Sequence, residues 1–192
     1  FRSVTGAFGG MGRATVKALT EKGFRVFALD KKIGEPEENV IPIEADVTSE
    51  ESIKRAADEV GKYTESLFAI IHFAGIYMLD SLVEMSGKNF EKIIRINFFG
   101  AFYVNRTFLP FLSEGSRIIM TTSELAPLDP LPFTGIYAVS KSALDKYAYS
   151  LCMELGLLGI SVSVLRAGAV KTEMLGVSTS ALERFCKETS LY

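Results

Sequence analysis

The stretch Thr5-Gly6-Ala7-Phe8-Gly9-Gly10-Met11-Gly12 decides the fold. Glycine tolerates positive φ and lacks the Cβ that would keep a ligand away from the backbone. Gly6, Gly10 and Gly12 are placed to join a first strand to a first helix, and Gly9 adds further freedom. A helix beginning near Met11 turns the unpaired N–H groups of its first turn toward whatever lies beyond the loop, which suits an anion. A plain glycine-rich turn would contain the same residues. The pattern that follows, a helix and then a second strand, favours the phosphate-binding reading.

Outward from this loop, strand and helix signals alternate. Short apolar runs at 26–29, 40–43, 67–73, 117–121 and 160–165 read as strands, and the first strand must precede Gly6. Pro42 limits the ladder bonds of its strand. Helical periodicity marks 11–21, 50–61, 88–112 and 135–158. Near-continuous apolar strands separated by helices predict an α/β domain with a doubly wound parallel sheet in three α/β/α layers. Residues 1–192 read as one domain, apparently clipped at both ends: 1–4 is a poor remnant of a strand, and the chain stops soon after Thr172.

Composition narrows the function. With 192 residues, 48% hydrophobic and 23% charged, the chain can bury a sizeable core. A net charge of -2 provides no basic field for nucleic acid or an anionic membrane. The most apolar stretch, 67–79, is too short to span a bilayer. Cys152 and Cys186 lack metal-ligand spacing, so no metal is expected, and a reducing, cytoplasmic setting fits. The helices around 88–112 and 135–158 are apolar on more than one side, including Phe98, Phe99, Phe102, Tyr103 and Leu151. Either they pack within the chain, or they form the contact of a homodimer or homotetramer, which is the reading preferred here.

Two acids and a tyrosine–lysine pair carry the candidate chemistry. Asp30 ends the second strand, where a carboxylate accepts ribose hydroxyls and repels a 2′-phosphate, so NAD is preferred over NADP; Lys31 and Lys32 soften that preference. Asp46 follows the third strand and either meets an adenine edge or caps the helix beginning near Ser49. Tyr137 and Lys141 share a helix face one turn apart. A neighbouring ammonium favours the phenolate, which would let Tyr137 act as general base or general acid. On its own, such a pair is more often a packed tyrosine beside a surface lysine.

With these residues in place, the chain resembles the short-chain dehydrogenase/reductase family, from Thr5 to Thr172. The loop Thr5-Gly6-x-x-x-Gly10-x-Gly12 is similar to the family's cofactor loop, with Phe8, Gly9 and Met11 inside it. Asp30 matches its NAD-selecting acid, and Asp46 with Val47 its adenine-contacting segment. His72-Phe73-Ala74-Gly75 resembles the Asn-Asn-Ala-Gly after the fourth strand. Asn97, Ser123, Tyr137 and Lys141 match the catalytic tetrad, and Ala167-Gly168-Ala169-Val170-Lys171-Thr172 the segment that closes over the nicotinamide.

The resemblance implies a Rossmann-like fold and hydride transfer between nicotinamide C4 and a substrate carbon. It implies that Tyr137 exchanges the proton, Ser123 orients the substrate oxygen, and Lys141 binds the nicotinamide ribose and acidifies Tyr137. Asn97 would hold a water linking Lys141 to solvent, and Val170 and Thr172 would grip the carboxamide. Four departures stand out. Ser123 lies one residue further from Tyr137 than usual, with Glu124 at the usual place, which an insertion in the proline-containing loop 125–134 (Pro127, Pro130, Pro132) explains. His72 replaces an asparagine and reads as a hydrogen-bonded core group rather than a catalyst. Ala167 replaces a proline. The family's C-terminal substrate loop and last strand have at most the counterpart 174–192.

The expected activity is an NAD(H)-dependent oxidoreductase interconverting a secondary alcohol and a ketone. Leu125, Leu128, Leu131, Phe133, Met174 and Leu175 suggest an apolar substrate such as a steroid. The alternatives are an NADPH-dependent ketone or acyl-chain reductase of the same family, and a non-catalytic dinucleotide-binding sensor or scaffold.

Overall fold

The computed structural model describes residues 1–129 and 131–192, with the side chains of residues 177–179 left aside. Pro130, one of the three loop prolines noted above, therefore lies outside the described residues. Six parallel strands form one sheet in the order β3-β2-β1-β4-β5-β6. They are β1 (Arg2–Thr5), β2 (Val26–Asp30), β3 (Val40–Glu44), β4 (Ala69–His72), β5 (Arg117–Thr121) and β6 (Ser161–Leu165). The order reverses between β1 and β4, so a crevice opens beyond the carboxyl ends of these strands. Thr5, the last residue of β1, pairs with Leu29 on one side and His72 on the other. The first strand is thus a central one, bonded on both edges.

Alternation along the strands builds a core on each side of the sheet. Phe27, Leu29 and Ile70 face one layer with Ile53, Val104, Phe108 and Leu144. Val26, Ala28 and Ile71 face the other with Val4 and Val16. Both faces are buried, as a covered parallel sheet requires. Pro42 is accommodated because β3 is an edge strand paired only with β2.

The helices are α1 (Gly10–Thr20), α2 (Glu50–Gly61), α3 (Gly87–Ile94), α4 (Gly100–Phe108), α5 (Gly135–Gly156) and α6 (Glu173–Glu188). In α2, Ile53, Ala56, Ala57 and Val60 form the buried stripe, and Ser49 caps the first turn by accepting from Ser52 N at 3.2 Å. The segment predicted as a helix at 88–112 is helical without a gap from 87 to 111 but is not α throughout. A wide π turn, Arg95–Phe99, separates α3 from α4, and a 3₁₀ turn, Leu109–Phe111, ends the run at Pro110. Helix α6 is an element the sequence reading did not foresee. Its Ala181 and Phe185 pack on Leu79, with Tyr77 and Phe133 alongside.

Candidate active site

The loop between β1 and α1 turns on Gly6, whose φ is +65° and whose backbone lies so close to the segment after β4 that a Cβ would stand 2.6 Å from Ala74 N. At Gly12 a Cβ would collide with the Gly6 carbonyl oxygen, so α1 starts tight against its own loop. The first-turn N–H groups of α1 are thereby aimed along the helix axis into the crevice. A Cβ at Gly10 would meet Thr172 Cγ2 at 2.5 Å, which brings the segment before α6 directly onto the glycine loop.

This crevice is a groove of about 1020 Å³. Gly6, Phe8, Gly9, Gly10, Met11 and Gly12 form its floor at one end. Asp30, Asp46 and Val47 bound it beyond β2 and β3, and Phe73, Ala74 and Gly75 beyond β4. Thr172 and α6 close the far side. Of the expected cofactor residues, Tyr137, Lys141, Ala167, Gly168 and Val170 do not line it: Lys141 is buried behind Gly75, Tyr137 lies behind Tyr77, Gly168 and Val170 are exposed, and Ala167 O accepts from Glu124 N at 3.0 Å.

The two acids have different surroundings. Asp30 Oδ2 accepts from Phe8 N at 3.0 Å and Oδ1 from Lys31 N at 2.8 Å. Asp46 accepts from Lys31 Nζ at 2.7 Å, Thr48 N at 2.9 Å and Thr48 Oγ1 at 2.7 Å. Burial works against ionisation of Asp46, but the bonds from Lys31 and Thr48 outweigh it and hold the carboxyl down at about 2. The capping alternative for Asp46 is not what the helix uses: Ser49 caps α2, and Asp46 closes the turn before it. Lys31 is drawn toward Asp46 rather than left beside Asp30.

The tetrad candidates gather at the inner end of the groove, behind Gly75. Lys141 is buried on α5, and its Nζ donates to Thr121 O at 3.0 Å. Burial pulls this ammonium down to about 8. Asn97, in the π turn, accepts from Ile76 N at 2.8 Å and donates to Ile76 O and Ser140 Oγ, both at 3.0 Å. Its two amide protons are thus committed to fixing the strand-end loop and α5. Asn97 Oδ1 and Lys141 Nζ both border the space a Gly75 Cβ would fill, at 3.3 and 3.5 Å.

Burial is the largest influence on the Tyr137 phenol and pushes its pKa up; the Ser123 hydroxyl draws it back, and Tyr77, its ring tilted against Tyr137 at 5.0 Å between centroids, adds to the rise. The expectation that Lys141 leaves the phenol acidified is therefore not met in the protein alone. The ammonium lies 5.9 Å from the ring centroid and is bonded to Thr121. Despite the extra residue in the loop before Tyr137, Ser123 reaches the phenol, and its Oγ also accepts from Leu125 N at 3.2 Å.

His72 is a core group. Asn105 donates to the Tyr147 hydroxyl at 3.3 Å, so its amide oxygen is left to accept the His72 Nε2 proton at 2.8 Å. Burial drives His72 down to about 4, and the ring is neutral at physiological pH.

Sequence reasoning missed Ser140, Tyr77 and α6. Ser140 joins Asn97 to the Tyr137 carbonyl, donating to it at 2.8 Å, and nothing in Ala138-Val139-Ser140 marks it. Helix α6 had a signal in the spacing of Ala181, Leu182 and Phe185 behind Glu173.

Among the described residues, no group of three or more His, Cys, Asp or Glu could hold a metal ion, and no helix is long and apolar enough to cross a membrane.

Residues 3–183 match the short chain dehydrogenase family. A versicolorin reductase of Emericella nidulans is 31% identical over 182 residues, which cover 89% of this chain and 69% of that protein. Estradiol 17-beta-dehydrogenase 2 of Mus musculus is 33% identical over 187 residues, 90% of this chain but only 49% of that protein. The crystal structure of a short chain dehydrogenase from Burkholderia cenocepacia in complex with NADP superposes with a TM-score of 0.80 at 30% identity, covering 90% of this chain and 73% of that one.

Proposed function

The chain belongs to the short-chain dehydrogenase family of NAD(P)-dependent oxidoreductases acting on CH–OH groups, and we propose that it interconverts a secondary alcohol and a ketone with NAD(H), Tyr137 serving as general acid and base. One observation carries this reading: a half-buried phenol within reach of a serine hydroxyl lies one helical turn from a buried lysine whose ammonium borders Gly75, at the end of the dinucleotide groove.

The groove fits a dinucleotide. Its floor is bare of side chains where a pyrophosphate needs close approach, and helix N–H groups face it. Gly6, Gly9, Gly10, Met11 and Gly12 would hold the pyrophosphate, Asp30 the adenosine ribose, and Asp46 with Val47 the adenine. Phe73, Ala74 and Gly75 would flank the second nucleoside. Ala167, Gly168, Val170 and Thr172 would close on the carboxamide after a movement that draws the segment inward. The bound cofactor supplies the hydride donor or acceptor. Asp30 favours NADH, because a carboxylate repels a 2′-phosphate; the NADPH reading draws on Lys31 and Lys32, which also line the groove.

In the reducing direction, Ser123 donates to the ketone oxygen and orients it, and Tyr137 gives its phenolic proton to that oxygen as it gains charge. Burial keeps the phenol protonated until then. Lys141, its pKa drawn down by burial to about 8, would pass a proton inward, and Asn97 holds the loop that frames this exchange. In the oxidising direction the same groups work in reverse.

The substrate end of the groove is bounded by Tyr77, Leu79, Met174 and Phe185, an apolar wall that suits a fused-ring ketone. The versicolorin and estradiol enzymes among the relatives agree with a polycyclic substrate. On the outer surface, Phe99, Tyr149 and Met153 are exposed on the π turn and α5, in support of a homodimer or homotetramer formed there, while Phe98 and Tyr147 are absorbed within the chain. Two free cysteines fit a cytoplasmic setting.

The test is a coenzyme-fluorescence titration followed by turnover on steroid, sugar and acyl ketones. NADH should bind more tightly than NADPH. Tyr137→Phe should leave NADH binding within about twofold and lower kcat by about 10²–10⁴. Equal turnover by the variant removes Tyr137 from the chemistry.

A further inference from the structure

Asp145 lies on α5, four residues beyond Lys141 and eight beyond Tyr137, and so near the same face of the helix. Its carboxylate is shared. Oδ1 accepts from Thr122 Oγ1 at 3.1 Å and from Arg166 Nε at 3.0 Å, and Oδ2 accepts from Arg166 Nη2 at 2.7 Å. Thr122 immediately precedes Ser123, and Thr121, before it, provides the carbonyl that holds Lys141. Arg166 follows β6 and precedes Ala167, the first residue of the segment expected to close on the cofactor. The ends of β5 and β6 are further laced by Thr122 N to Leu165 O at 2.9 Å and Glu124 N to Ala167 O at 3.0 Å.

We propose that Asp145 and Arg166 are positioning residues for the acid–base centre, a strut that sets helix α5 against the Ser123 end of β5 and the root of the closing segment 167–172. This deepens the reading of Tyr137 given above and rests on it.

The geometry favours a positioning role over a stabilising one. The two-pronged guanidinium–carboxylate contact fixes direction as well as distance. The Arg166 side chain is 51% exposed, and a pair this open adds little to stability. What it can add is register. Tyr137, Lys141 and Asp145 move as one rigid helix, while Ser123 and segment 167–172 hang from strand ends. A misplacement of about 1 Å between reacting groups costs on the order of 10²-fold in rate. Three other side chains bear on the Tyr137 phenol: Ser123 from the end of β5, Tyr77 from the loop after β4, and Lys141 from its own helix. Of these, Ser123 is the one the strut holds in place, and it is the one that draws the phenol's pKa down.

The experiment compares Asp145→Ala, Arg166→Ala and Arg166→Lys with the unaltered protein, using NADH and the best ketone of the panel. Asp145→Ala and Arg166→Ala should lower kcat by about 10- to 100-fold. The KM for NADH should change by less than about threefold, and the melting temperature should barely move. Arg166→Lys, which keeps the charge but not the fork, should recover only part of kcat. The Tyr137 phenol is followed separately, as the ultraviolet difference between each protein and its Tyr137→Phe counterpart across pH. Its midpoint should rise in Asp145→Ala. An unchanged midpoint and an unchanged kcat, or a fall in melting temperature that by itself accounts for lost activity, overturns the proposal. If no ketone is turned over at all, the proposed reaction fails while the phenol titration still decides the strut.

Discussion

Phe8 donates its backbone N–H to Asp30 Oδ2 at 3.0 Å, so the acid at the end of β2 also pins the glycine loop. The two duties separate by substitution. Asp30→Asn keeps an acceptor for Phe8 and loses the charge; its NADH affinity should fall only a few-fold, while discrimination against NADPH should drop about tenfold, a charge term of about 1.4 kcal/mol. Asp30→Ala loses both and should weaken both cofactors. Fluorescence titrations with the two coenzymes read the difference, and an Asn variant that still rejects NADPH would count against Asp30 as the selector.

Gly12→Ala places a methyl group into the Gly6 carbonyl. Relief requires moving α1 away from the loop, at a cost of about 1–3 kcal/mol, and the first-turn N–H groups move with it. Urea unfolding should show the loss of stability, and NADH affinity should fall at least tenfold, the equivalent of about 1.4 kcal/mol.

His72 gives the fold an acid limit. Its folded pKa, about 4, lies below the ordinary value of 6.5, because burial resists charging the ring. Below pH 6.5 the unfolded chain binds a proton that the folded chain refuses. The contribution of neutral His72 is therefore complete above 6.5 and is lost as pH falls toward 4, amounting to about 3 kcal/mol there. His72→Gln, which keeps a donor for Asn105, should flatten the stability profile between pH 6.5 and 4. An unchanged slope would place the acid sensitivity elsewhere.

Lys141 has the same sign in a higher pH range. Its folded value, about 8, lies below 10.5, so burial of the ammonium subtracts stability in full below pH 8 and progressively less as pH rises to 10.5. Lys141→Met should abolish turnover yet gain about 2 kcal/mol at pH 7, after allowance for the orphaned Thr121 carbonyl. That gain should shrink above pH 8. Chemical denaturation at pH 7 and pH 10 checks both halves.

Much of this was legible in the sequence, for physical reasons that differ by element. Strands β2 to β6 and helix α2 were readable because burial on two faces or on one stripe leaves a period in the residues. The glycine loop was readable because few other residues can occupy it. The π turn inside 88–112 was hidden: the apolar side chains continue through it, and only the backbone widens at Asn97. The resting pKa of Tyr137 was hidden as well, since Tyr137 and Lys141 gave the pair but not the depth of the pair. Asp145 and Arg166 lie 21 residues apart and carry no local signal; only the sheet brings them together.

The upward push on Tyr137 has a directional consequence. A hydroxyl whose pKa is held above its solution value keeps its proton and is a poor reservoir for negative charge. With Tyr137 as the proposed acid and base, the unliganded protein holds the form that carbonyl consumption requires, whereas alcohol consumption must first strip that site. Under that assignment, rising alkalinity favours the alcohol-consuming sense and disfavours the carbonyl-consuming one.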